Sequence, residues 1–314
     1  MNYSKEFLFA LEEASIRVAS ETAISVEHVL KDYWITVALR ALFESANDLG
    51  VKLIFKGGTS LSKGFHLIQR FSEDLDILVI AEGGPDAVQR ILRKLHLAVE
   101  VAIGTPAIVD STKSVTGEFR PARYVYPGQH SLPGAAPDGI RVELSTWGGA
   151  LPFQICEITS IINDEARFPA ATGPRTSKLL VPTLSPERTL IEKLVILHDA
   201  AMGNDVHRLR KTARHYYDIH QLLSDSKVAS ALTAVGAELL ANEVFKHNTA
   251  SKTRNSHRRP RGGFAQSPAF VETGPDSARD EYHRRVVPVL LFPTSSKPTF
   301  DDCLQTVQRW SEIL

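Results

Sequence analysis

Apolar positions recur at helical spacing through the opening of the chain, which predicts two leading helices. In the second, Val26, Val29, Leu30, Tyr33, Trp34, Val37, Leu39 and Leu42 form one sector, and Ser25 is placed to cap its N-terminus. Asn47 to Gly50 ends it, and Lys52 to Phe55 reads as a short strand. The stretch FKGGTSLSKGFHLIQRFSEDLDILVI (55–80) then predicts a glycine turn, a short amphipathic helix and a strand that opens with two carboxylates. Ala87 to Leu97 reads as helix and Ala98 to Val109 as strand. Residues 111–139, rich in proline and glycine, read as a long loop. Ile140, Val142 and Leu144 alternate with Arg141 and Glu143, the pattern of a half-buried strand, and Phe153 to Ile158 predicts another.

From Ser185 the pattern becomes helical. Ser185-Pro186-Glu187 supplies a cap, a proline at the first helical position and an early acid. Further helices are predicted at Arg208 to Ser224, Ser226 to Phe245 and Asp301 to Leu314. Lys246 to Gly263 has no aliphatic residue and no acid, and reads as an exposed, mobile loop. The expected organisation is an N-terminal domain over 1–180 and a mainly helical one over 181–314.

Composition narrows the classes. With 36 Lys plus Arg against 36 Asp plus Glu, no global field draws this chain of 314 residues to nucleic acid, so any such contact must come from local patches. Charged residues interrupt the N-terminal apolar pattern, unlike a signal or transit peptide, and no apolar run reaches bilayer length. A cytoplasmic protein without membrane association is expected. Cys156 and Cys303 stand apart, with neither disulfide nor thiolate-metal spacing.

The chemistry concentrates in 55–80. Gly57 and Gly58, between a strand and a helix that begins with Thr59 and Ser60, let a phosphate approach backbone N–H groups and hydroxyls; the same turn also serves as a plain structural corner. Asp74 and Asp76 sit two apart in a predicted strand and so share a face, while Leu75 and Ile77 point to the core. Two such acids suit a solvated edge, with Glu73 as a third, or a hard divalent cation, Mg²⁺ or Mn²⁺; the apolar run Ile77 to Ile80 favours the core strand. Glu143, on the polar side of its strand, is the candidate third ligand, the alternative being a pair with Arg141. Around the helix Lys193 falls in angular terms between Ile196 and Leu197, in an apolar sector where a lysine must snorkel or find an anion. Arg214 and Asp218 have the spacing of a helical ion pair. Ser72 is a turn or capping serine, or a position whose phosphorylation would act as an off-switch, the added negative charge disrupting metal or triphosphate binding.

KGGTSLSK at Lys56 to Lys63, followed by RFSEDLDI at Arg70 to Ile77, resembles the AbiEii-type toxins, a branch of the DNA polymerase β-like nucleotidyltransferases that includes the MenT-like group. KDYW at Lys31 to Trp34 and RHYYDIHQL at Arg214 to Leu222 resemble further family segments, although His215 stands where many relatives carry an acid. The resemblance implies an α+β fold, a polymerase β-like core with a mixed sheet flanked by helices, followed by a helical C-terminal domain. It implies transfer of a nucleoside monophosphate from an NTP, with Asp74, Asp76, Lys193 and Asp218 catalytic and Asp74, Asp76 and Glu143 on the metal. Lys56, Gly57, Gly58, Thr59, Ser60, Lys63 and Ser72 would surround the nucleotide. It also implies a cognate antitoxin and a tRNA 3′ end as acceptor. Candidate RNA contacts are Arg120 and Arg123, in a loop with Tyr124, Tyr126 and His130, and Arg254, Arg258 and Arg259 in the Lys246 to Gly263 loop. A protein or small-molecule acceptor such as an aminoglycoside, or an inactive nucleotide-binding regulator, stays open as an alternative.

Overall fold

The computed structural model describes residues 3–72, 74–128, 139–162, 178–250, 256–271 and 274–314. Helix α1 (Lys5–Thr22) starts where the Ser4 hydroxyl accepts the Phe7 N–H, and α2 (Val26–Leu49) where Ser25 accepts that of His28. Gly50, at φ +67°, closes α2 in the left-handed conformation that glycine adopts without cost to a side chain.

Seven strands form one mixed sheet in the order β3-β4-β5-β2-β1-β7-β6. They are β1 (Lys52–Lys56), β2 (Asp74–Ile80), β3 (Ile108–Val109), β4 (Phe119–Tyr124), β5 (Ile140–Ser145), β6 (Phe153–Ile158) and β7 (Leu179–Leu184). At its centre β1 runs antiparallel to β2, while β2 pairs parallel to β5 and β1 parallel to β7. The glycine turn leads into α3 (Gly57–Lys63), and α4 (Pro85–Ile103) packs on α2.

After β7 the described chain is helical: α5 (Pro186–Met202), α6 (Val206–Thr212), α7 (Arg214–Ser224), α8 (Ser226–Val235), α9 (Ala237–Ala250), α10 (Asp276–Glu281), which continues in wide π turns through Leu290, and α11 (Phe300–Arg309). One apolar cluster, with Phe7, Trp34, Leu92 and Val142, lies between α1, α2, α4 and the sheet. A second, with Leu190, Leu194, Tyr216 and Phe270, joins the later helices and takes in Leu61 and Ile68 from the segment after the glycine turn. That segment therefore ties the sheet to the helices. Among the described residues no single helix is long and apolar enough to cross a membrane.

Several local expectations are corrected. Ala98 to Val109 is mostly the end of α4, because Val99 and Ile103 continue the buried stripe of Leu92 and Leu95; only Ile108–Val109 is strand. The predicted loop over 111–139 contains β4, paired along its length with β5, and Tyr124 and Tyr126 are core residues. The helix expected over Arg208 to Ser224 breaks at Ala213, and that over Ser226 to Phe245 at Gly236. Lys246 to Ala250 is the last turn of α9 and not loop.

Candidate active site

The end of β1 delivers the glycine turn to the face of β2. Gly57 has φ +80°, and a Cβ there would lie 2.0 Å from Asp76 Oδ2; a Cβ on Gly58 would lie 2.8 Å from both Arg70 Nη2 and Ser72 Oγ. Glycine at both positions is thus required by contact with the second half of the motif. Register places Lys56 opposite Asp76 and Asp76 opposite Glu143, a row across three adjacent strands, with Asp74 opposite Arg141. These residues open onto a cleft of about 220 Å³, whose other wall is α5, α6, α7 and α9.

Lys56, Gly57, Gly58 and Ser72 line this cleft, whereas Thr59, Ser60 and Lys63 do not. The Thr59 hydroxyl donates to the Asp74 carbonyl and that of Ser60 to the Gly57 carbonyl, so both are turned into the protein and buried. Lys63 leaves the far side of α3 and pairs with Asp32 of α2, whose second oxygen accepts the Ile161 N–H at 2.7 Å. Within KDYW, then, Asp32 anchors α3 from behind while Tyr33 and Trp34 fill the core.

Asp74 meets Arg214 Nη2 at 3.2 Å and Arg141 Nη1 at 3.5 Å, and its Oδ1 is buried without a hydrogen bond. Burial, then the charge of Asp74, raises the Asp76 carboxyl above the ordinary aspartate value. Burial and the charges of Asp76 and Asp74 push Glu143 up to about 7, against the pull of Arg141 and Lys211. Lys56, Arg214 and Lys193 pull Asp76 the other way, so the removal of these clustered carboxylates from water sets the direction. Among the described residues no three His, Cys, Asp or Glu side chains form a ready cage for an ion; Glu143 stands opposite Asp76 in the β2–β5 pair.

On the opposite wall, the Lys193 ammonium is buried at the cleft and lies 2.7 Å from Asp218 Oδ2. The apolar sector of α5 gave the lysine two options, and it found an anion. Asp218 itself is fully buried and reaches the cleft only through its partners. Arg70 grips the same carboxylate with Nε at 2.6 Å and Nη2 at 2.7 Å. Burial alone would raise the Asp218 carboxyl, but the Arg70 and Lys193 charges hold it well below the usual range. Burial lowers Lys193, with Asp218 opposing, and burial with the Lys193 charge pushes His215 down to about 3. His215 Nδ1 lies 3.4 Å from Asp218 Oδ2, whose pull toward the charged form is outweighed by burial and Lys193, so the imidazole stands neutral.

Two pairings differ from expectation. Arg214 does not bond Asp218 one turn away; it crosses to Asp74, because Asp218 faces inward to two other cations. Arg70 was absent from the candidate residues. The signal was the one that marked Lys193: a cation among apolar neighbours, here Leu67, Ile68 and Phe71, needs a buried anion.

The sequence profile of the AbiEii nucleotidyl transferase toxins of type IV toxin–antitoxin systems matches residues 40–306, which include every one of these cleft residues. The chain belongs to this family. Among solved structures, the MenT4 nucleotidyltransferase toxin of Mycobacterium tuberculosis is similar with a TM-score of 0.48 and 18% identity, over 95% of this chain and 92% of that one. No curated protein matches.

As an AbiEii nucleotidyltransferase, the protein needs a site that binds a triphosphate and directs an acceptor to it. Its cleft has two chemically distinct walls, carboxylates on β2 and β5 and cations on α5 and α7. The candidate RNA contacts lie elsewhere. Arg120 and Arg123 belong to β4 and do not line the cleft; Arg120 Nε is buried without a hydrogen bond, and burial lowers that guanidinium's pKa. Arg258 lies over the Phe245 ring at 4.6 Å, and Arg259 Nε donates to the Leu314 carbonyl at 2.6 Å, so both take part in packing. Arg254, together with Lys252, His130 and Glu73, lies outside the described residues.

Proposed function

We propose that this AbiEii-family chain is the metal-dependent toxin of a toxin–antitoxin pair, transferring a nucleoside monophosphate from an NTP to RNA, with a tRNA 3′ end as acceptor and translation as the process blocked. The observation that carries this reading is the contact between the glycine turn and the carboxylate pair: Gly57 lies so close to Asp76 that a bound triphosphate at the turn is at once beside Asp74 and Asp76. Residues 1–180 then act as the transferase domain, and 181–314 as a helical domain that supplies Lys193 and Asp218.

The donor set fits a divalent cation. Asp74 and Asp76 offer hard oxygens, Asp74 Oδ1 is buried without a hydrogen bond, and burial with mutual repulsion raises Asp76 and Glu143, a penalty that a cation beside them would relieve. Mg²⁺ or Mn²⁺ bound there would neutralise the carboxylates and polarise phosphate oxygens. Asp74 and Asp76 are the residues that would hold it, with Glu143 adjoining. Gly57 and Gly58 leave room for the phosphates, and the Lys193 ammonium, fixed by Asp218, stabilises negative charge on the departing pyrophosphate. Asp218, sealed from the cleft, positions Lys193 and does not touch the acceptor.

The test is incubation with each labelled NTP, Mg²⁺ and total tRNA. Label should appear on RNA with the wild type and vanish with Asp76→Ala. Label that persists in that variant, or that goes to protein or a small molecule and never to RNA, refutes the reading.

A further inference from the structure

The end of the cleft away from Asp74 has a different chemistry. Lys56 spans the two ends: its Cα is opposite Asp76, and its ammonium lies 5.0 Å from the centroid of the Trp147 ring. Trp147, just past β5, is half-buried, lines the cleft and packs against Phe119 at 6.0 Å. The first turn of α5 is held against this segment by Arg188. Its guanidinium sits where a Cβ on Gly149 would come within 2.3 Å, and it pairs with Glu243 of α9 at 2.7 Å. Glu192, one turn on from Arg188 and 3.6 Å from its Nε, and Val244, next to Glu243 on α9, line the same end. Lys193 lies one turn beyond Thr189, about 6 Å along the helix, toward the glycine turn. A nucleotide with its phosphates at Gly57, Gly58 and Lys193 extends its base toward an aromatic ring and a carboxylate.

We propose that Trp147 and Glu192 form the nucleobase subsite, with Trp147 as stacking platform and Glu192 as acceptor for the base's amino group, so that cytosine, adenine and guanine nucleotides bind in preference to uracil nucleotides. This rests on the nucleotidyltransferase reading above. Cytosine, adenine and guanine each present an exocyclic NH₂ that a carboxylate accepts. Uracil presents only N3–H, flanked by two carbonyl oxygens that the carboxylate repels. The Glu192 side chain is 22% exposed and 3.6 Å from Arg188 Nε, which leaves it reachable from the cleft while steadied from behind.

Calorimetric titration of the full chain in Mg²⁺ with CTP, ATP, GTP, UTP and inorganic tripolyphosphate decides the matter. UTP should bind about tenfold more weakly than the tightest of the others, and Glu192→Gln should shrink that gap to about threefold, since one good polar contact is worth about 1–3 kcal/mol of discrimination. Trp147→Leu should weaken the amino-bearing nucleotides about tenfold and leave tripolyphosphate unchanged, whereas Trp147→Phe keeps the stacking face and should bind nearly as the wild type does. UTP binding as tightly as the rest, nucleotides binding no better than tripolyphosphate, or Glu192→Gln leaving the ranking intact overturns the subsite while the triphosphate site stands. If wild type binds neither nucleotide nor tripolyphosphate, the transferase reading fails and the subsite with it.

Discussion

Arg70 and Asp218, 148 positions apart in sequence, meet through two hydrogen bonds of 2.6 and 2.7 Å with neither side chain exposed to more than 1%. This pair fastens the segment between the glycine turn and β2 to helix α7, and so closes the two walls on each other. Removing Arg70 takes two charge-assisted hydrogen bonds from Asp218 and leaves the buried carboxylate with Lys193 as its remaining close cation. Arg70→Leu is therefore expected to destabilise the fold by about 2–4 kcal/mol, read from the urea midpoint. A loss under 1 kcal/mol would mean that the pair is not the fastening.

Gly57→Ala should be far worse than an ordinary glycine substitution. The added Cβ meets the Asp76 carboxylate at 2.0 Å, and φ +80° is unfavourable for any side chain. Loss of about 1–3 kcal/mol in stability is expected from the strain, and nucleotide transfer should fall at least about a hundredfold as Asp76 is pushed aside. Gly84→Ala, at the N-cap of α4 with open space around it, serves as the control: it should cost at most about 1 kcal/mol and leave transfer unchanged.

Lys193→Met tests charge stabilisation directly. With the ammonium gone, turnover should drop by about 10²–10³-fold with a smaller change in nucleotide KM. Because Asp218 keeps Arg70, the variant should still fold, and its near-ultraviolet circular dichroism should match the wild type. An unchanged kcat would remove Lys193 from the chemistry.

Acid sensitivity should report on His96. Its Nδ1 is 2.7 Å from the Tyr124 hydroxyl and its Nε2 3.0 Å from the Arg120 carbonyl, and burial lowers its pKa from 6.5 to about 4. The folded imidazole stays neutral where the unfolded one takes up a proton. Its share of stability is complete above pH 6.5, declines as pH falls toward 4, and amounts to at most about 3 kcal/mol. His96→Gln should flatten the dependence of the urea midpoint across that window; a parallel curve in the variant would rule His96 out as the source.

Much of this architecture can be read from residue order because its periods are clean. Asp74 and Asp76 declare a shared face by their spacing of two, and Ile140 to Leu144 declares a strand by alternation; the two acids of β2 do face the cleft. Lys193 is legible as a conflict between residue type and position. Where periods are broken the reading fails. Pro121 and Gly117 hide β4 inside apparent loop, Pro182 hides β7, and the β-branched Val99 and Ile103 imitate a strand although tertiary packing keeps them on α4. The partners of Arg214 and Lys63 are long-range choices between competing anions, and nothing local to either residue encodes them.

The Asp32–Lys63 pair bears on where this protein can be cut. The family-matched span begins at residue 40, inside α2 and after Asp32, so it does not coincide with a folding unit. A chain trimmed to that span would keep every residue of the cleft yet leave Lys63 buried without its counter-ion, and the core without Tyr33 and Trp34. The catalytic segment is complete in composition well before it is complete in mechanical support, and the helices ahead of the recognisable motifs act as the backing plate on which the glycine turn is mounted.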